Sequence, residues 1–238
     1  MSNYVSYHRL SKESGSFANQ LSTVSIPTNM QEALGDPRWK EAMNEEMKSL
    51  QKNSTWKVVE LPKGKKPVGC RWDFTIKYKA DGTIERFKAR LVAMGYTQTY
   101  GIDYMETFAP VAKINTIRIL ISLAVNLDWP LHQFDVKNAF LHGDLPEEIY
   151  LELPPGCNMQ SKGGKHVCRL KKALSGLKQS LRAWFGRFTK LMKAFGYKQS
   201  NSDHTLFVKH KKGMITCLIV YVDDMIVMGN DSEERRAL

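Results

Sequence analysis

The stretch Ile215–Met228, ITCLIVYVDDMIVM, decides the reading: an apolar strand, two consecutive aspartates, Asp223 and Asp224, and a second apolar strand that stops before Gly229-Asn230. Buried between apolar strands, two adjacent carboxylates would cost several kcal/mol, so they belong at a hairpin tip, on a cation, or both. Neighbouring side chains on a strand point to opposite faces, and a turn at the tip therefore also explains how both acids can reach one place. Just upstream, Thr205–Lys209 reads as a strand and Lys212-Gly213 as the turn that leads into the long one. Downstream, Ser232-Glu233-Glu234-Arg235-Arg236 opens a helix.

Moving toward the N-terminus, a helix is expected near 179–195, with Trp184, Phe188, Leu191 and Phe195 on its buried side and Gly196 as its stop. Ile149–Leu153 and His166–Leu170 are strand candidates separated by a polar loop rich in Gly and Pro. Leu131–Val136 reads as a short strand carrying Asp135 near its end, and residues 115–127 as a mostly apolar helix. Over Arg71–Ala93 the period is two: Trp72, Phe74, Ile76 and Tyr78 alternate with polar residues, Asp81-Gly82 turns the chain, and Ile84–Ala93 returns. Alternation sets Phe87, Ala89, Leu91 and Ala93 on one side and Arg86, Lys88 and Arg90 on the other. Three cations on one strand face suit a phosphate-bearing ligand, and equally a solvated edge that discourages aggregation. Asn29 with Glu32, and Asp36 before Pro37, are start signals for helices over 30–34 and 37–52, with Trp39, Met43, Met47 and Leu50 as a packing stripe. Residues 1–29, rich in Ser, Asn and Thr, read as a poorly ordered leader.

Bulk properties narrow the classes. With 238 residues and 42% hydrophobic content the chain can bury a sizeable core, as one domain or two closely packed subdomains. A net charge of +11, from 35 basic and 24 acidic residues, favours a polyanionic partner. Cys70, Cys157, Cys168 and Cys217 never approach C-x-x-C spacing, which argues against a zinc site or a disulfide framework and for a reducing compartment. No signal peptide and no run of about 20 apolar residues appears, so no membrane segment is expected. His132, His142 and His204 lack H-x-x-x-H pairing. No heptads or repeats point to an oligomeric state.

Three acids from separate strands suggest one chemistry. Nucleotide polymerisation needs two divalent metals, roughly 3.5–4 Å apart, held by carboxylates. A two-carboxylate glycosidase instead needs acids set apart across a sugar cleft, which adjacent aspartates do not offer. At this point the residues resemble the reverse transcriptases of copia-type retrotransposons. QFDVKNAFLHGDL (133–145) is similar to their first aspartate motif, LIVYVDDMIV (218–227) to their YxDD motif, and RLKKALSGLKQSLRAWF (169–185) to the motif between them. ERFKARLVAMGYTQTYGIDYMETFAPVAKINTIR (85–118) resembles the family's fingers, and the likeness runs from about residue 30 to the end.

The resemblance implies an α+β polymerase right hand: helices and fingers over 30–128, and a palm over 129–238 with fingers elements near 150–180. The palm would be an antiparallel sheet with packed helices, and the thumb would be missing from this truncated piece. It further implies Asp135, Asp223 and Asp224 as catalytic metal ligands, with the Val136 backbone as an additional metal contact. Lys88 and Arg90 would meet the triphosphate, Phe140 would exclude a ribose 2′-hydroxyl, and Gln179 and Ser180 would lie near nucleotide and template. The implied cofactor is Mg²⁺, or Mn²⁺ in its place; the implied partners are an RNA template, a DNA primer and deoxynucleoside triphosphates, in the cytoplasm or nucleus. Ser175 and Leu181 depart from the family's LYGLKQSPRAW, which has Tyr and Pro there. Losing the proline removes a preset φ near a helix start, worth about 1 kcal/mol. Three readings remain open: an RNA-directed DNA polymerase domain with impaired activity, a catalytically silent remnant that binds nucleic acid through its basic surface, and an interaction module recruited to an acidic protein.

Overall fold

The computed structural model describes residues 25–157 and 166–238. The expected leader falls almost wholly outside them. The architecture is α+β, built on three antiparallel sheets.

Helices α1 (Met30–Leu34) and α2 (Pro37–Lys52) open the described chain. Their starts follow the cap chemistry: the Glu32 amide donates to Asn29 Oδ1 (3.0 Å) and the Arg38 amide to Asp36 Oδ1 (2.9 Å), with Pro37 beginning α2. Strands β2 (Cys70–Tyr78) and β3 (Ile84–Ala93) form the expected hairpin. Trp39 of α2 meets Phe74 and Phe87 edge-on, at ring-centre distances of 5.4 and 4.8 Å. A second sheet joins β1 (Trp56–Glu60), β6 (His166–Leu170) and β5 (Tyr150–Leu151) in the order β1-β6-β5. Leu50, Leu91, Leu151, Cys168 and Leu174 knit α2, the hairpin and this sheet into one core.

The third sheet carries the acids. Its order is β4 (Leu131–Asp135), β10 (Asp224–Gly229), β9 (Met214–Tyr221), β8 (Leu206–Lys211), β7 (Lys198–Gln199). Alternation along β9 decides its two faces: Leu218 and Val220 pack against α4 (Ser180–Ala194), while Cys217 and Ile219 meet α3 (Ile114–Asn126). A last helix, α5 (Ser232–Ala237), is fastened by Glu234, which accepts from Lys209 Nζ (2.8 Å) and from the Tyr197 hydroxyl (3.2 Å).

One expectation needs correction. The buried row of α4 is Ser180, Trp184, Phe188 and Met192; Leu191 is 40% exposed and Phe195 59%. The helix contacts the sheet along an i+4 ridge, which is inclined to the helix axis, so the contact line leaves the 184-188-191-195 stripe before the last turn. Helix α3 forms where the sequence places a mostly apolar helix; it buries Leu120 and Ala124 and leaves Ile114, Ile119 and Val125 open.

Candidate active site

Asp135 ends β4 directly opposite Asp224, the first residue of β10. Opposed residues of an antiparallel pair have Cα atoms about 4.5–5.5 Å apart, so these two carboxylates are neighbours on one face. The aspartate pair does not share the turn as expected. Val222 and Asp223 form it, and Asp224 is already paired with Tyr221. Val222 sits at φ 57°, a left-handed conformation that costs a β-branched residue about 1–3 kcal/mol and persists only where its surroundings hold it. Two bonds do so. The Val136 amide donates to Asp223 O (2.8 Å), and the Trp184 indole N–H donates to Val222 O (2.8 Å).

Lys88, Arg90, Asp135, Val136, Phe140 and Asp223 line one cavity of about 310 Å³, between β3, the C-terminal half of helix α2, and the segment after β4. Strand β3 thus presents its cationic face to the acids. Burial, then the neighbouring charges of Arg90, Arg86 and Lys77, hold the Lys88 ammonium below the usual lysine range, while Asp135 pulls it the other way. Ser175, standing where the family pattern has Tyr, is on the same wall. Asp224 is not part of that wall; its Oδ1 accepts from the Gln133 amide (3.2 Å).

Gln179 and Ser180 lie elsewhere. Gln179 is 2% exposed, its Oε1 accepting from Gln98 Nε2 (3.1 Å) and its own amide donating to Asp103 O (2.9 Å). The Ser180 hydroxyl donates to Leu174 O (2.6 Å). Both side chains are engaged in tying the turn before α4 to the 95–104 segment and to itself, and neither reaches the cavity.

The donor set near the turn is all oxygen, three carboxylates and the Val136 carbonyl, the hard ligands that suit Mg²⁺ or Mn²⁺. Among the described residues no three His, Cys, Asp or Glu side chains converge into a ready metal cage. Asp135 and Asp224 are solvent-exposed, and the chemistry of the set fits a divalent cation.

Several residues of this site escape a reading of the sequence. Glu46 of α2 lines the cavity, its Oε1 accepting from the Leu91 amide (3.4 Å), and burial pushes its carboxyl up. Asn138 takes φ 56° and donates to Ser49 Oγ (2.7 Å), fixing the chain just past Asp135 to the same helix. A charged residue next to the apolar stripe of α2 is the one trace of Glu46 in the sequence; Asn, a residue that tolerates the left-handed region, is the trace of Asn138.

The reverse transcriptase (RNA-dependent DNA polymerase) family model matches residues 53–237. The Retrovirus-related Pol polyprotein from transposon RE2 of Arabidopsis thaliana is 44% identical over 218 residues, which are 91% of this chain and 15% of that protein. The corresponding polyprotein from transposon TNT 1-94 of Nicotiana tabacum is 47% identical over 210 residues, 86% of this chain and 16% of the relative. The Transposon Ty1-ER2 Gag-Pol polyprotein of Saccharomyces cerevisiae is 33% identical over 164 residues, 66% of this chain and 8% of the relative. The chain therefore spans about 15% of the length of the plant polyproteins it matches.

Proposed function

Because the chain belongs to the reverse transcriptase family of copia-type retrotransposon Pol polyproteins, we propose that its acid-bearing sheet is the palm of an RNA-directed DNA polymerase. In this reading the β2–β3 hairpin with α2 forms the fingers. The single observation that carries the proposal is the cavity of about 310 Å³ that Lys88, Arg90, Asp135, Val136, Phe140 and Asp223 line together, although they come from three separate stretches of chain.

Asp135, Asp223 and Asp224 are the metal ligands in this scheme, with Val136 adding its carbonyl. Bound there, a pair of Mg²⁺ or Mn²⁺ ions would make the primer 3′-hydroxyl a better nucleophile and neutralise charge on the triphosphate. Lys88 and Arg90 hold the triphosphate of an incoming deoxynucleotide. Burial is the first cause that depresses Lys88, and the repulsion of Arg90, Arg86 and Lys77 adds to it; a polyanion bound there relieves that repulsion. Phe140, on the wall beside Asp135, packs under the sugar and leaves no room for a 2′-hydroxyl. Template RNA and primer DNA are the polymeric partners, drawn by the charge of +11. Gln179 and Ser180 act indirectly, by shaping the turn that begins at Ser175 and Gly176. The departures at Ser175 and Leu181 bear on rate, because a positioning error of about 1 Å can cost on the order of a hundredfold.

No helix among the described residues is long and apolar enough to cross a membrane. Binding of nucleic acid by charge alone would not require acids and cations to share a cavity, which favours the polymerase over the silent remnant.

The test is extension of a DNA primer on an RNA template by the purified chain with Mg²⁺. Extension is expected, and Asp223→Asn brings it to background. Activity that survives this substitution overturns the assignment of the acids.

A further inference from the structure

Trp184 looks at first like ordinary core: it is 4% exposed, in the second turn of α4, with its ring 5.5 Å from Phe188. A buried indole needs an acceptor for its N–H, and any carbonyl would serve. The one it uses is Val222 O, at 2.8 Å, the carbonyl of the left-handed residue between Tyr221 and Asp223. The same side chain also bears on the other acid. Its ring lies 5.9 Å from His142, at the end of the short 3₁₀ turn Ala139–His142 that follows Asp135 and Val136. Behind it, Gly143 is pressed so closely on α4 that an added Cβ would stand 2.7 Å from the Trp184 backbone N. The chain after Asp135 and the turn before Asp224 are thus both referred to one rigid indole. A third link closes the arrangement: the Val136 amide donates to Asp223 O at 2.8 Å.

We propose that Trp184 is a positioning residue for the acids: by holding Val222 O it keeps the turn in its left-handed form and fixes the direction in which Asp223 faces Asp135. It touches no reacting atom. The inference rests on the polymerase reading for its consequence, and on the hydrogen bond for its cause, and these two can be tested apart.

The substitution is Trp184→Phe, which keeps an aromatic ring and removes the N–H, with Phe188→Leu as a control that disturbs the same helix face but leaves the bond. Amide hydrogen exchange reads the turn directly. In Trp184→Phe the Val136 amide is expected to exchange at least tenfold faster while the Leu218 amide in β9 is unchanged; in Phe188→Leu the two amides keep their ratio. Binding of Mn²⁺ alone, followed by electron paramagnetic resonance of the free ion, is expected to weaken several-fold in Trp184→Phe and not in Phe188→Leu. If the Val136 amide exchanges at the parent rate in Trp184→Phe, the indole does not hold the turn and the proposal falls. Should the turn loosen while Mn²⁺ affinity stays within twofold of the parent, although Asp223→Asn weakens it, Trp184 does not position the acids. If Asp223→Asn itself leaves Mn²⁺ binding untouched, the metal assignment fails instead, and the exchange result still decides whether Trp184 holds the turn.

Discussion

Replacing Gly176 by alanine is expected to be among the most damaging single-methyl changes in this chain. Gly176 has φ 91°, and a Cβ built on it would lie 2.1 Å from Ala93 O, 2.7 Å from Val92 Cγ1 and 3.0 Å from Ala93 N. The left-handed conformation alone costs a non-glycine residue about 1–2 kcal/mol. The nearest obstacle is backbone, so no rotamer change relieves it. The end of β3 must move, straining or breaking the bond from the Ala93 amide to Ser175 O (2.8 Å), worth about 1 kcal/mol. Forced displacement of packed atoms adds about 1–3 kcal/mol. Together these give a loss of about 3–6 kcal/mol, a large part of the roughly 5–15 kcal/mol by which domains are stable. Urea unfolding followed by circular dichroism reads it as a fall in midpoint of about 1 M or more, at a slope of about 2–3 kcal/mol/M. Gly186→Ala is the matched control. Gly186 lies exposed within α4 and an added Cβ meets nothing within 4 Å, so alanine there is expected to stabilise by about 0.5–1 kcal/mol. A Gly176→Ala protein within 1 kcal/mol of the parent would refute the argument from close approach. So would an equal loss in both variants.

Glu46 provides a pH signature. Burial raises its folded carboxyl above the unfolded value, outweighing the Leu91 amide and the Arg90 and Lys88 charges. Its stabilising contribution is therefore complete below the unfolded value, about pH 4, and is lost as pH rises through the folded one. Glu46→Gln is expected to exceed the parent in stability at pH 7, with the gap narrowing toward pH 4; a gap independent of pH would contradict this. The corrected face of α4 yields a simple contrast: Phe188→Ala, 4% exposed in the parent, is expected to cost about 3–5 kcal/mol, and Phe195→Ala, 59% exposed, about 0.5 kcal/mol or less. Equal costs in thermal unfolding would restore the stripe that the sequence suggests.

Local chemistry made much of this fold legible. Caps at Asn29 and Asp36, the Asp81-Gly82 and Lys212-Gly213 turns, and the alternation of Arg86, Lys88 and Arg90 each follow from rules acting over a few residues. Residues 133–145 and 218–227 were recognisable as motifs, and the ladder pairs Asp135 with Asp224 as that recognition required. What stayed hidden depends on contacts distant in sequence. The tilt of α4 across its sheet decides between Met192 and Leu191, and periodicity carries no tilt. The bond from Trp184 to Val222 spans 38 residues, and the amide pairing of Gln98 with Gln179 spans 81, so neither has a local trace. The bonds of Gln179 and Ser180 are likewise hidden, because a motif names residues without saying which way they face.

Asp135 is carried on a border strand. Strand β4 pairs with β10 alone, through five register positions, and all five of its residues are exposed. One of the three acids is consequently tethered on a single flank, while Asp224 sits between two partners. Peeling β4 away would leave the remaining four strands and both helix-packed faces intact, an opening that needs far less free energy than unfolding the whole. Warming should thus separate the carboxylates while circular dichroism still records a folded protein. Occupation of the site by divalent cations would draw the loose strand back, because ligands favour whichever conformation binds them.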